Sequence, residues 1–157
     1  EVQQVKKIAA QIREELDCEG IAYAPHVELG IMIETPAAAI ISDLLAKEVD
    51  FFSIGTNDLT QYALAIDRQN AMLDQFYQPY HKSVLRLMKL VADNAHRNHI
   101  WCGICGDLGS DLEMTPLFLA MGIDEISVPP TSILAVRKKV RETNVSMIQN
   151  QLFEKWL

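Results

Sequence analysis

The sequence predicts a parallel α/β protein, four βα units long. Short apolar runs begin at residues 30, 51, 100 and 125, at intervals of 21, 49 and 25, and each gap carries a helix-patterned segment. Apolar strands alternating with helices form parallel βαβ units buried on the sheet. The longest gap opens directly after Asn57 and Asp58, and in a (β/α)8 barrel such βα insertions shape the active face. Four units make half a barrel. An open doubly wound sheet is the alternative, but no Gly-rich dinucleotide fingerprint follows any strand.

Taken in order, Val2 to Asp17 reads as a helix, with Val5, Ile8, Ala9, Ile12 and Leu16 at helical spacing. Gly30 to Glu34 is a short apolar strand, and Pro36 to Lys47 a helix with proline in its first turn. Phe51 to Thr56 is the second strand; Thr60 to Ile66 is a short helix and His81 to Asn98 a long one. Ile100 to Cys105 is the third strand, Asp111 to Met121 a helix, Glu125 to Val128 the fourth strand and Ser132 to Arg141 a helix. The tail after Thr143 adds one more.

Composition narrows the class. The chain has 157 residues, 49% hydrophobic and 22% charged, which suits one globular domain with an ordinary core. A net charge of −7 argues against nucleic acid as the main partner, since phosphate-backbone binding needs a basic face. Local Arg and Lys residues can still draw a small anion into a cleft. No run approaches the roughly 18 apolar residues of a membrane span, and the acidic, amphipathic start is not a signal peptide. Three cysteines, an odd number, suit a reducing cytoplasm better than a disulfide framework. The chain opens on Glu1 rather than Met, and residues 1–157 are expected to be a fragment excised from a longer protein.

The chemistry gathers at strand ends. Glu34 ends the first strand, Asp58 follows the second and Cys105 ends the third. Parallel strands place all three on one edge of the sheet. Asp58 can equally cap the helix at Thr60, whereas Glu34 is a poor cap beside Thr35. Two carboxylates on adjacent strand ends favour a divalent metal; magnesium fits best, taking one or two carboxylates plus substrate oxygens and water. Arg68, in the insertion, offers a bidentate grip on phosphate or carboxylate, or forms a solvated pair with Asp67. Asn57 can donate to the same anion or close an Asx-turn. Thr60 and Gln61 rank lower. Cys102 and Cys105 resemble a CxxC pair, but residues three apart on a strand point to opposite faces. Cys102 is therefore packing, and Cys105 is the accessible thiol, a candidate nucleophile or acid. His81, His96 and His99 read as surface residues, and His26 precedes the first strand on the side away from the site. Met32 and Phe52 read as core, with Met32 close enough to Glu34 to line a pocket, and Glu14 and Glu15 as a solvated face.

Three segments in order, GIMIETPAA, KEVDFFSIGTNDLTQYALAIDR and GICGD, closely resemble the phosphoenolpyruvate-binding barrel of the Enzyme I family of the bacterial sugar phosphotransferase system, over about Glu28 to Thr143. The pyruvate phosphate dikinases and phosphoenolpyruvate synthases are related; the uninterrupted TQYALAIDR and compact insertion look more like Enzyme I. The resemblance implies the second half of the barrel, its last four βα units. It implies Glu34 and Asp58 holding Mg2+, and Asn57, Asp58 and Arg68 at phosphoenolpyruvate. Cys105 is the implied acid that protonates the enolate to pyruvate. The phosphoryl group would pass to a histidine of a separate N-terminal domain and on to the carrier protein HPr, the first step of sugar uptake. The half-barrel alone is expected to be inactive, and its two open sheet edges invite self-association as a homodimer. Asp107 stands where that family commonly has Glu, Gly109 where Ala is frequent, and Val128, Pro129 and Pro130 replace a Ser-rich end of the last strand.

Overall fold

The computed structural model describes every residue, Glu1–Leu157. Four parallel strands, β1 (Gly30–Ile33), β2 (Phe51–Gly55), β3 (Trp101–Cys105) and β4 (Glu125–Ile126), pair in sequence order. Between and around them run α1 (Val2–Glu19), α2 (Pro36–Ile40), α3 (Ser42–Leu45), α4 (Thr56–Leu64), α5 (Lys82–Arg97), α6 (Thr115–Met121), α7 (Ile133–Glu142) and α8 (Val145–Trp156). Ile31, Phe52 and Cys102 share one register row, and Ile33, Ile54, Ile104 and Ile126 another. These rows face the helices: Ile33, Phe52, Ile54, Cys102 and Ile104 are fully buried. Each such large apolar side chain contributes about 1.5–3 kcal/mol over an exposed one. Burial pushes the Cys102 thiol up to about 12, so it is inert packing.

The other face of the sheet carries no helix. Phe51 stacks on Trp101 there, centroids 4.2 Å apart and ring planes nearly parallel, while Met32 is exposed. Gly30 makes room for that stack, because a Cβ on it would run into the Phe51 ring. Met32, expected in the core, therefore lies on the uncovered face. Its odd-even position in the strand, not its hydrophobicity, decides this.

Helix α5 covers the sheet because Val84, Leu85, Met88, Val91, Ala92 and Ala95 fall on one helical face, all fully buried. His81, expected at the surface, caps it by accepting from Ser83 N–H at 3.2 Å. The helix expected over residues 36–47 is broken at Ile41. There the Ser42 hydroxyl turns back to the Ala39 carbonyl at 2.8 Å and accepts from the buried Asn94 amide at 2.9 Å. Thr35 caps α2 through Ala38 N–H at 3.2 Å, as its position suggested. Asp111 to Met114 form a turn before α6, which starts only at Thr115, because Asp111 Oδ1 accepts from Glu113 and Met114 N–H. The last strand is two residues long where four were expected. Ser127 O and Val128 instead lie against Gly109, whose missing Cβ leaves the space, so these two departures from the resembled family touch one another.

Helix α1 buries none of its residues. Val5, Ile8 and Ile12 remain about half exposed, and Lys6 makes the reach to Glu48 O and Oε2 at 3.0 and 3.3 Å. Its apolar stripe of Val5, Ile8 and Ile12 is left uncovered by the rest of the chain. Glu14 and Glu15 are exposed as expected.

Candidate functional site

The C-terminal ends of β1, β2 and β3 meet at Gly55. A Cβ placed there would lie 2.8 Å from Glu34 Oε2 and 2.9 Å from the Met32 methyl, so the glycine lets the Glu34 carboxylate lie across the end of β2. The chain then turns straight into α4. The short helix expected from Thr60 begins instead at Thr56, with Gly55 at the cap and no side chain capping its free N–H groups. Asn57 and Asp58 thus stand in the first helical turn, not in a loop. The start is early because Thr56 is fixed from outside: buried, it donates through Oγ1 to the Cys105 carbonyl at 2.8 Å. A first turn with open N–H groups and a positive dipole end favours anions.

Asp58 does not cap the helix. It pairs with Arg68, Nη2 to Oδ1 at 3.4 Å, with both side chains about one-third exposed. Arg68 is thus held over the strand ends and not by its neighbour Asp67. Gln61 assists, accepting from the Arg68 N–H at 3.0 Å, and Ala65 in left-handed geometry (φ 54°) ends α4 so that the chain can fold back. The Cys105 thiol lies between the Ile54 carbonyl, 3.7 Å away, and Met32 Sδ, 4.0 Å away. It is half-buried, whereas Cys102 is sealed on the opposite face of the strand.

Sequence reasoning missed two groups here. Asp107 binds the Asn57 amide at both ends; its place directly after Cys105 and Gly106 was the one available signal. Tyr77, from the insertion, donates to the Asn57 carbonyl at 3.3 Å, and nothing in its sequence context marks it. Burial raises the Tyr77 phenol above its ordinary range. A cavity of about 350 Å³ opens beside these groups, lined by Arg68, Gln69, Asp74, Tyr77 and Asp107. A smaller one adjoins it at Tyr80, whose phenol is pushed up to about 12, chiefly by its hydrogen bond to Asp111.

Gly106 joins β3 to this network at φ 102°, in left-handed space, and a Cβ there would collide with Thr56 Oγ1. Gly106→Ala is expected to lower stability by about 1–3 kcal/mol. It should also break the Thr56–Cys105 bond, seen as a lower melting temperature together with faster alkylation of Cys105. An unchanged melt would show that this turn tolerates a side chain.

Nowhere in the chain do three or more His, Cys, Asp or Glu side chains converge on a metal position. Besides Asp107, which is engaged with Asn57, this edge offers the carboxylates of Glu34 and Asp58 as hard oxygen ligands. That donor set is too small for calcium, which takes six to eight oxygens, and lacks the nitrogen and sulfur of a structural zinc site. It fits magnesium, which needs one or two carboxylates and leaves its other positions to substrate and water.

A parallel βα sheet with carboxylates, an amide, a guanidinium and a thiol at one edge defines an α/β protein of the strand-end-site class. The chain belongs to a particular family within it, the one described as PEP-utilising enzyme, PEP-binding domain, whose profile matches residues 1–145. Similar proteins include three named phosphoenolpyruvate-protein phosphotransferase. That of Priestia megaterium is 43% identical over 152 residues, 97% of this chain and 26% of the relative. That of Bacillus sp. (strain S) is 47% identical over 142 residues, 90% and 25% of the two chains. That of Haemophilus influenzae is 45% identical over 144 residues, 92% and 25%. The chain therefore spans about a quarter of the length of the curated relatives it matches. No helix in it is long and apolar enough to cross a membrane.

Proposed function

We propose that this chain carries the metal-binding and proton-donating side of a phosphoenolpyruvate site in a phosphoenolpyruvate–protein phosphotransferase, the Enzyme I of a sugar phosphotransferase system. The observation that carries this reading is the meeting of Glu34, Asp58, Arg68, Asn57 and Cys105 at one sheet edge in a member of the PEP-utilising family. The relatives' names favour a phosphotransferase over a dikinase or synthase. In this reading the sheet is the second half of a (β/α)8 barrel. The bare face with the Phe51–Trp101 stack would be barrel interior, and the unpartnered stripe of α1 would pack against the first half. The whole protein would be a cytoplasmic homodimer handing its phosphoryl group to HPr.

Glu34 and Asp58 would hold Mg2+, which when bound neutralises charge on the phosphoryl group. Arg68 orients the anion by paired hydrogen bonds, exchanging Asp58 for substrate oxygens. Asn57 donates its remaining amide N–H. As the phosphoryl P–O bond breaks and a P–N bond forms to a histidine of another domain, an enolate is left. The Cys105 thiol gives its proton to the enolate methylene carbon, yielding pyruvate, and the thiolate regains a proton from water.

Calorimetric titration of the chain with phosphoenolpyruvate tests this. Weak binding that needs Mg2+ and is lost in Arg68→Ala is expected, without turnover. Binding indifferent to both Mg2+ and Arg68 would overturn the assignment.

A further inference from the structure

Asp107 lies two positions beyond Cys105 and grips Asn57 twice. Its N–H donates to Asn57 Oδ1 at 3.1 Å, and its Oδ2 accepts from Asn57 Nδ2 at 3.2 Å. An amide held at both ends by one residue has its oxygen and nitrogen sides fixed, since reversal would set donor against donor and acceptor against acceptor. Of the two N–H bonds on Nδ2, one is committed to Asp107 and one remains for another acceptor. The same junction carries the Thr56 Oγ1 to Cys105 O bond at 2.8 Å and the Tyr77 hydroxyl on the Asn57 carbonyl at 3.3 Å. The end of β3 and the first turn of α4 are thus joined by three bonds within a few residues of the thiol. Asp107 is itself exposed and lines the wall of the cavity that holds Arg68. A carboxylate facing an anion pocket opposes anion binding through its charge, so its presence there calls for a geometric reason.

We propose that Asp107 is a positioning residue: its carboxylate sets the orientation of the Asn57 amide and holds the first turn of α4 in register with the Cys105 strand end. It touches no reacting atom; it acts through Asn57 and the β3–α4 junction. The proposal rests on the reading of Asn57 and Cys105 as substrate-facing groups.

Two substitutions separate the bond from the charge. Asp107→Asn keeps an oxygen that can accept from Asn57 Nδ2 and removes the charge; Asp107→Ala removes both. In the 157-residue chain, the Asn57 side-chain amide resonances are expected to move in Asp107→Ala and to stay near their wild-type positions in Asp107→Asn. Alkylation of Cys105 should change several-fold in the alanine variant alone. Mg2+-dependent phosphoenolpyruvate affinity should fall about tenfold in Asp107→Ala and remain within about threefold of wild type, or improve, in Asp107→Asn. Melting temperatures check that both variants fold. Asn57 resonances unmoved in Asp107→Ala, or equal perturbation by both substitutions, would overturn the positioning role. If no protein, wild type included, binds phosphoenolpyruvate, the substrate reading fails, and the amide resonances and alkylation rates still decide for or against Asp107.

Discussion

Replacing Cys105 by alanine, in a full-length phosphotransferase that carries this chain as its barrel segment, is expected to lower pyruvate release by about 10²–10⁴-fold, the range for loss of a positioned general acid. The fold should survive. The sulfur is half-buried, and its neighbours are one carbonyl and one thioether at 3.7 and 4.0 Å, so its loss opens no core cavity. The backbone of Cys105 does the structural work at this point, through its carbonyl on Thr56, and alanine keeps it. Cys102→Ala supplies the contrast. That thiol faces the helices, fully buried beside Phe52, so its removal should lower the melting temperature while turnover per folded molecule stays unchanged. Pyruvate release and thermal melts of the two variants check the pair. Undiminished turnover in Cys105→Ala would remove the thiol from the mechanism, whatever its position at the strand end.

The strand ends were legible because short apolar runs bounded by Gly and polar residues have few alternatives. The parallel sheet and the residues at its C-terminal edge follow from four such runs; the strand order comes from the structure. The opposite faces of Cys102 and Cys105 follow from the strand period alone. The start of α4 was not legible, because Gly-Thr-Asn-Asp is a turn-prone composition in isolation. Only the long-range bond from Thr56 to Cys105, 49 positions away, makes it helical. Arg68 had two carboxylates within reach in sequence, and the fold-back at Ala65 chose Asp58 over Asp67. Tyr77 and Asp107 both reach Asn57 across the sheet edge, and only Asp107, two positions after Cys105, had a sequence signal. The break at Ile41 likewise depends on Asn94 reaching Ser42 from another helix. Hydrophobic periodicity found the helix α1 but not its partner: a stripe of Val5, Ile8 and Ile12 shows that something should cover it, not what.

Asp58→Asn should abolish most of the Mg2+ dependence of phosphoenolpyruvate binding, on the order of 10²-fold or more at saturating metal, because several kcal/mol of charge neutralisation rest on the metal. Stability should barely move. The Asp58–Arg68 pair is one-third exposed on both sides at 3.4 Å, and such pairs contribute about 0–1 kcal/mol. Asparagine keeps the shape and one acceptor, so the first turn of α4 has no steric reason to change. The sign in the absence of metal is the sharper test. Removing the Asp58 charge releases Arg68 and takes a negative charge from the anion's surroundings, so metal-free affinity for phosphoenolpyruvate should stay the same or rise. Glu34→Gln should reproduce the loss of metal dependence without that gain, because Glu34 lies across Gly55 and not on Arg68. If both carboxylates serve one ion, the double variant should be little worse than either single one, since the second substitution removes a ligand from a site already emptied. Additive losses, or a Mg2+ dependence that survives Asp58→Asn, would mean that the two acids hold the substrate separately and that the metal sits elsewhere.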